Sequence, residues 1–312
     1  MKQLAIVIPA YKERFLRATL DSIAAQTNRS DFVLYIGDDA SPDRLDRVVE
    51  SYRDKIDLVY HRFTENWGGK DLVAHWERCI RLSHEPVIWL FSDDDRMPAD
   101  GVERILEALK HTADPSKCFF RFPLTVIDGQ DRLLHANPPL PEGKVSHSRL
   151  LLDKLQGKAD SAAIEYVFGR RLWMYSGGFV RFPLAWCSDD ATWTTFARLA
   201  GGVTSLPGKP VCWRNVEGSN ISNSSCHNAE KLCATVLFLK WLRKELSDDA
   251  RCPELVKALQ CYVRTILRFS VGKDYGLHDL WTISSALALF DNKAACRTFF
   301  RNFRLFPKTI QQ

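Results

Sequence analysis

At 312 residues and 46% hydrophobic content, the chain is long enough for a full α/β core with an appended subdomain. Its nine cysteines are odd in number, scattered and without a C-x-x-C pair; this excludes a disulfide framework and a zinc site and predicts reduced, mostly buried thiols. The net charge of +5 is unevenly divided: residues 1–110 carry 16 Lys+Arg against 20 Asp+Glu, which leaves the basic surplus to the C-terminal part. Such a surplus suits a solvated helical face, an anionic membrane surface or a polyanionic acceptor. No apolar run approaches bilayer length, and the run from Met1 to Ile8 turns at once into Pro9 without a signal-peptide core. The expectation is a cytoplasmic protein, in peripheral contact with the cytoplasmic face of a membrane at most.

Leu4–Ile8 is a continuous apolar run suited to a central strand, and Leu16, Leu20 and Ile23 place a stripe on the helix after it. Phe32–Ile36 repeats the strand signal. Ser41-Pro42-Asp43 then supplies an N-cap and an N1 proline for a helix marked by Leu45, Val48, Val49 and Tyr52. Ile56–Tyr60 predicts a third strand, Val73, Trp76 and Ile80 a third helix, and Val87–Phe91 a fourth strand. Val102, Ile105, Leu106 and Leu109 follow on a further helix. Repeated β-α units with short connections imply a mostly parallel sheet with helices on both faces, and ligands of such sheets bind beyond the C-terminal strand ends.

Past residue 118 the pattern loosens: extended segments around the turn Asp128-Gly129, the crossing Asn137-Pro138-Pro139-Leu140-Pro141, a helix over Arg149–Leu155, and an extended piece over Ile164–Phe168. Gly177-Gly178-Phe179 comes next, then Ser188-Asp189-Asp190 opening a helix through Leu199, then turns and strands over Val203–Trp213. From about residue 228, Leu237, Phe238, Trp241, Leu242, Leu255, Leu259, Val263, Ile266 and Leu267 keep helical spacing.

The polar residues gather at the strand ends. Strand one ends in Pro9-Ala10-Tyr11, strand two in Asp38-Asp39, strand three leads to Asn66-Trp67-Gly68-Gly69-Lys70, and strand four to Asp93-Asp94-Asp95. Three adjacent carboxylates repel one another, and a divalent cation of the hard, oxygen-seeking kind, magnesium or manganese, is the natural neutraliser. Capping of the next helix would need only one of them. Neither G-x-G-x-x-G nor G-x-x-x-x-G-K-[ST] is present, which removes dinucleotide oxidoreductases and P-loop NTPases.

With these residues assembled, the chain resembles the inverting family 2 of nucleotide-sugar-dependent glycosyltransferases, of GT-A fold, over roughly residues 1–225. Ile6-Val7-Ile8-Pro9-Ala10-Tyr11 looks like the family's opening strand and turn, and Asp38-Asp39-Ala40-Ser41-Pro42-Asp43 is similar to its D-D-x-S-x-D segment. Asn66, Gly68 and Lys70 match its N-x-G region, Asp93–Asp95 its D-x-D metal motif, and Gly177-Gly178-Phe179 with Asp189-Asp190 its G-G-F…[ED]-D pair. The resemblance implies a nucleotide-sugar site of Pro9, Tyr11, Glu13, Asp39, Asn66, Lys70, Asp93 and Asp94, with Asp39 on the base. It further implies metal on Asp93 and Asp95, with Asp94 as a further partner, and Asp190 as general base, with Asp189 the alternative. Gly178 and Trp186 are placed at the acceptor. Three departures stand out: Lys12 where the family often has Asn, Ser92 where many relatives carry another aspartate, and Arg214-Asn215-Val216 at the late R-x-H element, where the imidazole is missing. His227 is a substitute for it, or a plain surface histidine.

The implied reaction moves a sugar, from a UDP-sugar by preference, to the hydroxyl of a glycan or lipid-linked glycan, with inversion and with Mn2+ or Mg2+ as cofactor, in surface polysaccharide or glycan synthesis. No nucleic acid partner is expected. Expected domains are a GT-A unit over 1–225, split into a nucleotide-sugar half (1–122) and an acceptor and catalytic-base half (123–225), and a helical subdomain over 226–312. A sugar nucleotidyltransferase and an inactive glycan-binding relative are the alternatives; the lack of glycine in Pro9–Glu13 disfavours the first and the retained aspartates the second.

Overall fold

The computed structural model describes residues 2–216, 227–246, 252–270 and 275–303. Its β-α alternation is the expected one: β1 (Leu4–Ala10), α1 (Leu16–Ala24), β2 (Phe32–Asp38), α2 (Leu45–Glu50), β3 (Leu58–Arg62), α3 (Leu72–Ile80), β4 (Val87–Leu90) and α4 (Gly101–Lys110). Strand three starts two residues late. The amides of Lys55 and Ile56 both donate to Tyr52 O and close the end of α2, while the Ile56 side chain stays in the core. The loosely patterned middle resolves into β5 (Phe119–Arg121), β6 (Leu124–Ile127), β7 (Leu133–Ala136), β8 (Lys144–Val145), α5 (His147–Leu155), β9 (Tyr166–Gly169), α6 (Arg170–Tyr175), α7 (Ser188–Leu199), β10 (Val203–Ser205) and β11 (Val211–Arg214). Helices α8 (Asn228–Leu246), α9 (Pro253–Thr265), α10 (Leu277–Ala288) and α11 (Asn292–Phe303) make up the tail, as its spacing predicts.

Two compact units divide the chain: Met1–Leu150 with Ala159–Val180 and Thr192–Val216, and Leu151–Lys158 with Arg181–Ala191 and Glu217–Gln312. The expected boundary at 225 lies outside the described residues. The first unit is built on an eight-stranded sheet of order β3-β2-β1-β4-β9-β5-β10-β8, in which β3, β2, β1 and β4 run parallel and β9 enters antiparallel between β4 and β5. A smaller sheet orders β11-β6-β7. Every residue of β1 from Leu4 to Ile8 is buried, which is why its sequence does not alternate. Register fixes the common edge: Ala10 lies level with Asp38, and Asp38 with Arg62. A Cβ on Gly37 would come within 2.3 Å of Cys79 Sγ, so only glycine lets α3 pack this closely on β2.

An aromatic cluster fills the other half of the first unit, where Trp193 stacks on Tyr166 at 4.7 Å and meets Phe119, Phe168, Phe179 and Phe196. Worth about 1 kcal/mol per good ring pair beyond area burial, it makes Trp193 core. In the second unit the apolar faces of α8, α9 and α10 bury Leu232, Phe238, Leu239, Leu242, Leu255, Leu259, Val263, Leu280, Ile283 and Leu287. The expectation of mostly buried thiols fails. Cys79, Cys118 and Cys187 are buried, but Cys233, Cys252, Cys261 and Cys296 lie exposed among the tail helices, on turns that face water, and Cys226 lies outside the described residues.

Candidate functional site

Two carboxylate clusters stand at the C-terminal edge of the parallel strands in the first unit. At the end of β2, Asp38 is fully buried. It accepts from Ser41 N at 2.8 Å and from the Tyr60 hydroxyl, and is paired with Arg62 Nη1 at 2.8 Å. Asp39 beside it accepts from Trp67 N at 2.8 Å and Gly68 N at 2.7 Å and is held by Arg78 Nη2, with His75 Nδ1 at 3.4 Å. Burial pushes the His75 imidazole down to about 4, although Asp39 pulls the other way. Arg78 lies 3.8 Å over the Phe63 ring and 4.6 Å over that of Trp67, a cation–π seat that fixes its guanidinium against Asp39. A carboxylate has about four lone-pair sites, so Asp39 Oδ2 can still accept one more donor. Gly68 cannot carry a side chain, since its Cβ would fall 2.6 Å from that oxygen.

At the end of β4 the three aspartates diverge. Asp93 turns to the first loop and accepts from Tyr11 N at 2.7 Å and Lys12 N at 2.8 Å. Asp95 turns the other way, to Arg214 N at 2.6 Å and the Ser92 hydroxyl. Asp94 offers its main-chain carbonyl to Arg214 Nε at 2.7 Å. Burial raises the pKa of all three. The charge of Asp94 adds to the rise at Asp93, which reaches about 6, and at Asp95, which lies well above the usual range. Arg214, itself buried, also donates to Asp128 O at 2.8 Å, pairs with Asp131 at 2.6 Å and lies 4.4 Å over the Phe15 ring. Helix α1 secures this loop from below: Thr19 Oγ1 donates to Asp95 O, Gln26 Nε2 to Pro98 O, and Ser22 Oγ accepts from Met97 N.

The remaining predicted residues of this edge have plainer surroundings. Ser41 Oγ donates to Tyr11 O at 2.5 Å, Tyr11 and Glu13 are exposed, and Glu13 N donates to Asp43. Pro9 lies in β1 opposite Gly37. Asn66 accepts from Gly69 N at 2.9 Å and shapes the loop, while Lys70 is exposed. Gly177 and Gly178 both have left-handed backbone, at φ 81° and 94°. A Cβ on Gly178 would meet Glu77 Oε1 at 2.3 Å, the atom that accepts from Phe179 N.

Asp189 and Asp190 belong to the second unit, in the first turn of α7. Asp190 Oδ1 pairs with Lys154 Nζ at 3.1 Å. Burial, aided by the charge of Asp190 and opposed by Lys154, pushes Asp189 up to about 7. The buried Cys187 Sγ stands 3.1 Å from Tyr262 Oη. Leu184, Ala185 and Cys187 all have positive φ, a strained approach for residues with side chains. Trp186 is half-buried, donates from Nε1 to Thr235 Oγ1 at 3.2 Å and has Lys231 Nζ 5.0 Å over its ring. His227 is a surface histidine, 3.6 Å from Glu230.

Among the described residues no three His, Cys, Asp or Glu side chains converge as a ready metal cage. The donor chemistry of Asp93–Asp95 nonetheless fits a magnesium or manganese ion: adjacent carboxylates, half-buried at Asp93 and Asp94 and buried at Asp95, supply the hard oxygen ligands such ions take. Such ions take one or two carboxylates and complete their shell from phosphates and water. Sequence reasoning missed Arg78 altogether. It read Arg214 only as the neighbour of an absent imidazole.

Residues 5–139 match the family model described as Glycosyl transferase family 2. A 71-residue stretch is 31% identical to the poly(ribitol-phosphate) β-N-acetylglucosaminyltransferase TarS of Staphylococcus aureus. That stretch is 22% of this chain and spans only 12% of the length of the relative. The crystal structure of residues 1–349 of the S. aureus protein in complex with UDP-GlcNAc superposes with a TM-score of 0.70 at 16% identity, covering 97% of this chain and 89% of that one. The mannosyltransferase PcManGT of Pyrobaculum calidifontis, in complex with GDP-Man and Mn2+, superposes at 0.51 with 17% identity, covering 98% and 81%. At such identities the likeness speaks for the fold, an α/β GT-A architecture with a mostly parallel central sheet.

Proposed function

We propose that the chain is a glycosyltransferase of family 2, whose model matches residues 5–139, and that it moves a sugar from a nucleotide diphosphate to an acceptor hydroxyl with inversion. The observation that carries the reading is the convergence of the β1, β2 and β4 loops, bringing Tyr11, Asp39 and Asp93–Asp95 to one sheet edge. UDP-sugar is the favoured donor, since the structural relative TarS is a UDP-GlcNAc complex, and a cell-surface glycan, free or lipid-linked, is the favoured acceptor, since that relative acts on poly(ribitol-phosphate). The setting is the cytoplasm.

Asp39 Oδ2 accepts an N–H of the base, and the exposed Lys70 and Lys12 offer cations to the phosphates. Asp93 and Asp95, with Asp94 as a further partner, would hold a magnesium or manganese ion, whose Lewis acidity would offset charge on the departing diphosphate. Asp190 takes the proton of the attacking hydroxyl, and the Lys154 ammonium keeps its carboxylate oriented.

The test is Asp190→Asn, which preserves shape while removing basicity. Transfer should fall by about a hundredfold or more, with nucleotide-sugar affinity unchanged in titration calorimetry; Asp189→Asn should cost less. The opposite ranking hands the role to Asp189, and normal turnover in both removes this segment from the chemistry.

A further inference from the structure

The last two helices, α10 and α11, pack on one another and turn an unusual surface outward. In α11, Ala294, Ala295, Thr298 and Asn302 are buried, the stripe of a helix seated on its neighbour. Its outer face carries Lys293, Arg297 and Arg301 at four-residue intervals, all exposed, and α11 contains no acidic residue. Beside this row stand Phe300, 61% exposed, and Phe303, 46% exposed. Phe299 links them to α10: its ring stacks on Phe303 at 5.8 Å and meets Trp281 edge-on at 5.9 Å. Trp281 is 63% exposed, and Leu277 and Leu289, one turn before it and two turns after it, are exposed on the same side of α10.

Apolar area left in water costs free energy in proportion to its extent, and contiguous rings of this kind mark an interaction surface rather than scattered exposure. The two nearby acids are turned to amides at the helix starts, Asp279 accepting from Gly276 N at 2.8 Å and Asp291 from Ala294 N at 2.5 Å, and α11 itself places no carboxylate beside the basic row. Aromatic rings flanked by a row of exposed cations complement a bilayer with negative headgroups, where rings settle at the acyl boundary and cations meet phosphate. We propose that the α10–α11 face docks the protein on an anionic lipid bilayer, with Trp281, Phe300 and Phe303 entering the interface and Lys293, Arg297 and Arg301 on the headgroups. The inference stands on these two helices alone and does not depend on the sugar-transfer reading.

Co-sedimentation of the full chain at low salt, with vesicles of phosphatidylcholine alone and of phosphatidylcholine with a minority of phosphatidylglycerol, tests it. Strong binding is expected only to the anionic vesicles. The triple variant K293Q/R297Q/R301Q should lose about a hundredfold, each cation being worth roughly fivefold near such a surface. W281S/F300S should lose about tenfold, and what remains should vanish with added salt. All five side chains are exposed, so both variants should keep the wild-type melting temperature. Equal binding to the two vesicle types, or either variant binding like wild type, overturns the proposal. So does tight binding of dextran sulfate that the aromatic substitutions leave unchanged while vesicle binding is absent, which would assign the face to a soluble polyanion.

Discussion

The ends of β2 and β4 both carry aspartates, buried at Asp38, Asp39 and Asp95 and half-buried at Asp93 and Asp94, yet the fold treats them in opposite ways. Asp38 and Asp39 are met by guanidinium groups, Arg62 and Arg78, and by amides of the following loop. Asp93, Asp94 and Asp95 receive amides, one hydroxyl and the flank of a single arginine, and their carboxyl groups are left hard to ionise. Removing a partner from a matched buried pair strands a charge, whereas removing one member of a repelling set relieves the rest. The first arrangement makes a rigid frame. The second leaves adjacent carboxylates that the fold itself does not pair with guanidinium groups of their own.

The largest effect should come from breaking the matched side. Arg78→Met leaves Asp39 buried with two amides and His75 but no guanidinium and should cost about 3 kcal/mol or more in urea unfolding; a loss below about 1 kcal/mol would mean that the guanidinium contributes little to the frame. The repelling side should respond differently to Asp94→Asn. Stability should hold or rise slightly, while the affinity for UDP in the presence of manganese falls about tenfold, or ~1.4 kcal/mol. A joint loss of stability and affinity would make Asp94 a strut, and the contrast between the two strand ends would collapse.

The same contrast recurs within one pair in the second unit, where Asp190 has Lys154 and Asp189 is pushed up to about 7. Between about pH 4 and pH 7 the folded chain therefore keeps a proton on Asp189 that the unfolded chain has released. The contribution to stability is full below pH ~4 and is lost as the pH rises through about 7. Thermal unfolding across that range should show a decline of order 1 kcal/mol after solvent screening, flattened in Asp189→Asn; an identical slope in the variant places the protonation elsewhere.

How much of this was legible depended on the sequence distance over which each contact is made. Strands buried on both faces write themselves as apolar runs, so Leu4–Ile8 and Val87–Phe91 could be read directly, and the aspartates behind them fell on the expected edge. Arg78 and Arg214 could not be read in this way. Each meets its carboxylate across dozens of residues, and an arginine on an amphipathic helix or a short strand looks like an ordinary surface charge until the partner is placed. The small polar residues of α1 were hidden for the same reason: Thr19, Ser22 and Gln26 resemble a weak helix face, and only the fold shows them bonded to the loop after β4. Nor does periodicity carry the left-handed backbone of Leu184, Ala185 and Cys187, or the membership of 151–158 and 181–191 in the second unit, because both are set by packing rather than by local preference.

The tight fit of Cys79 against Gly37 has a practical consequence for labelling. Its thiol is fully buried, burial raises its pKa, and any adduct on sulfur would collide with the strand that ends in Asp38 and Asp39. Alkylating reagents that readily mark the four cysteines exposed among the described residues must wait for α3 to lift from β2 before they reach this one. Its rate of modification is thus a clock for local opening at the frame, and a ligand that tightens that frame slows the clock without touching the sulfur.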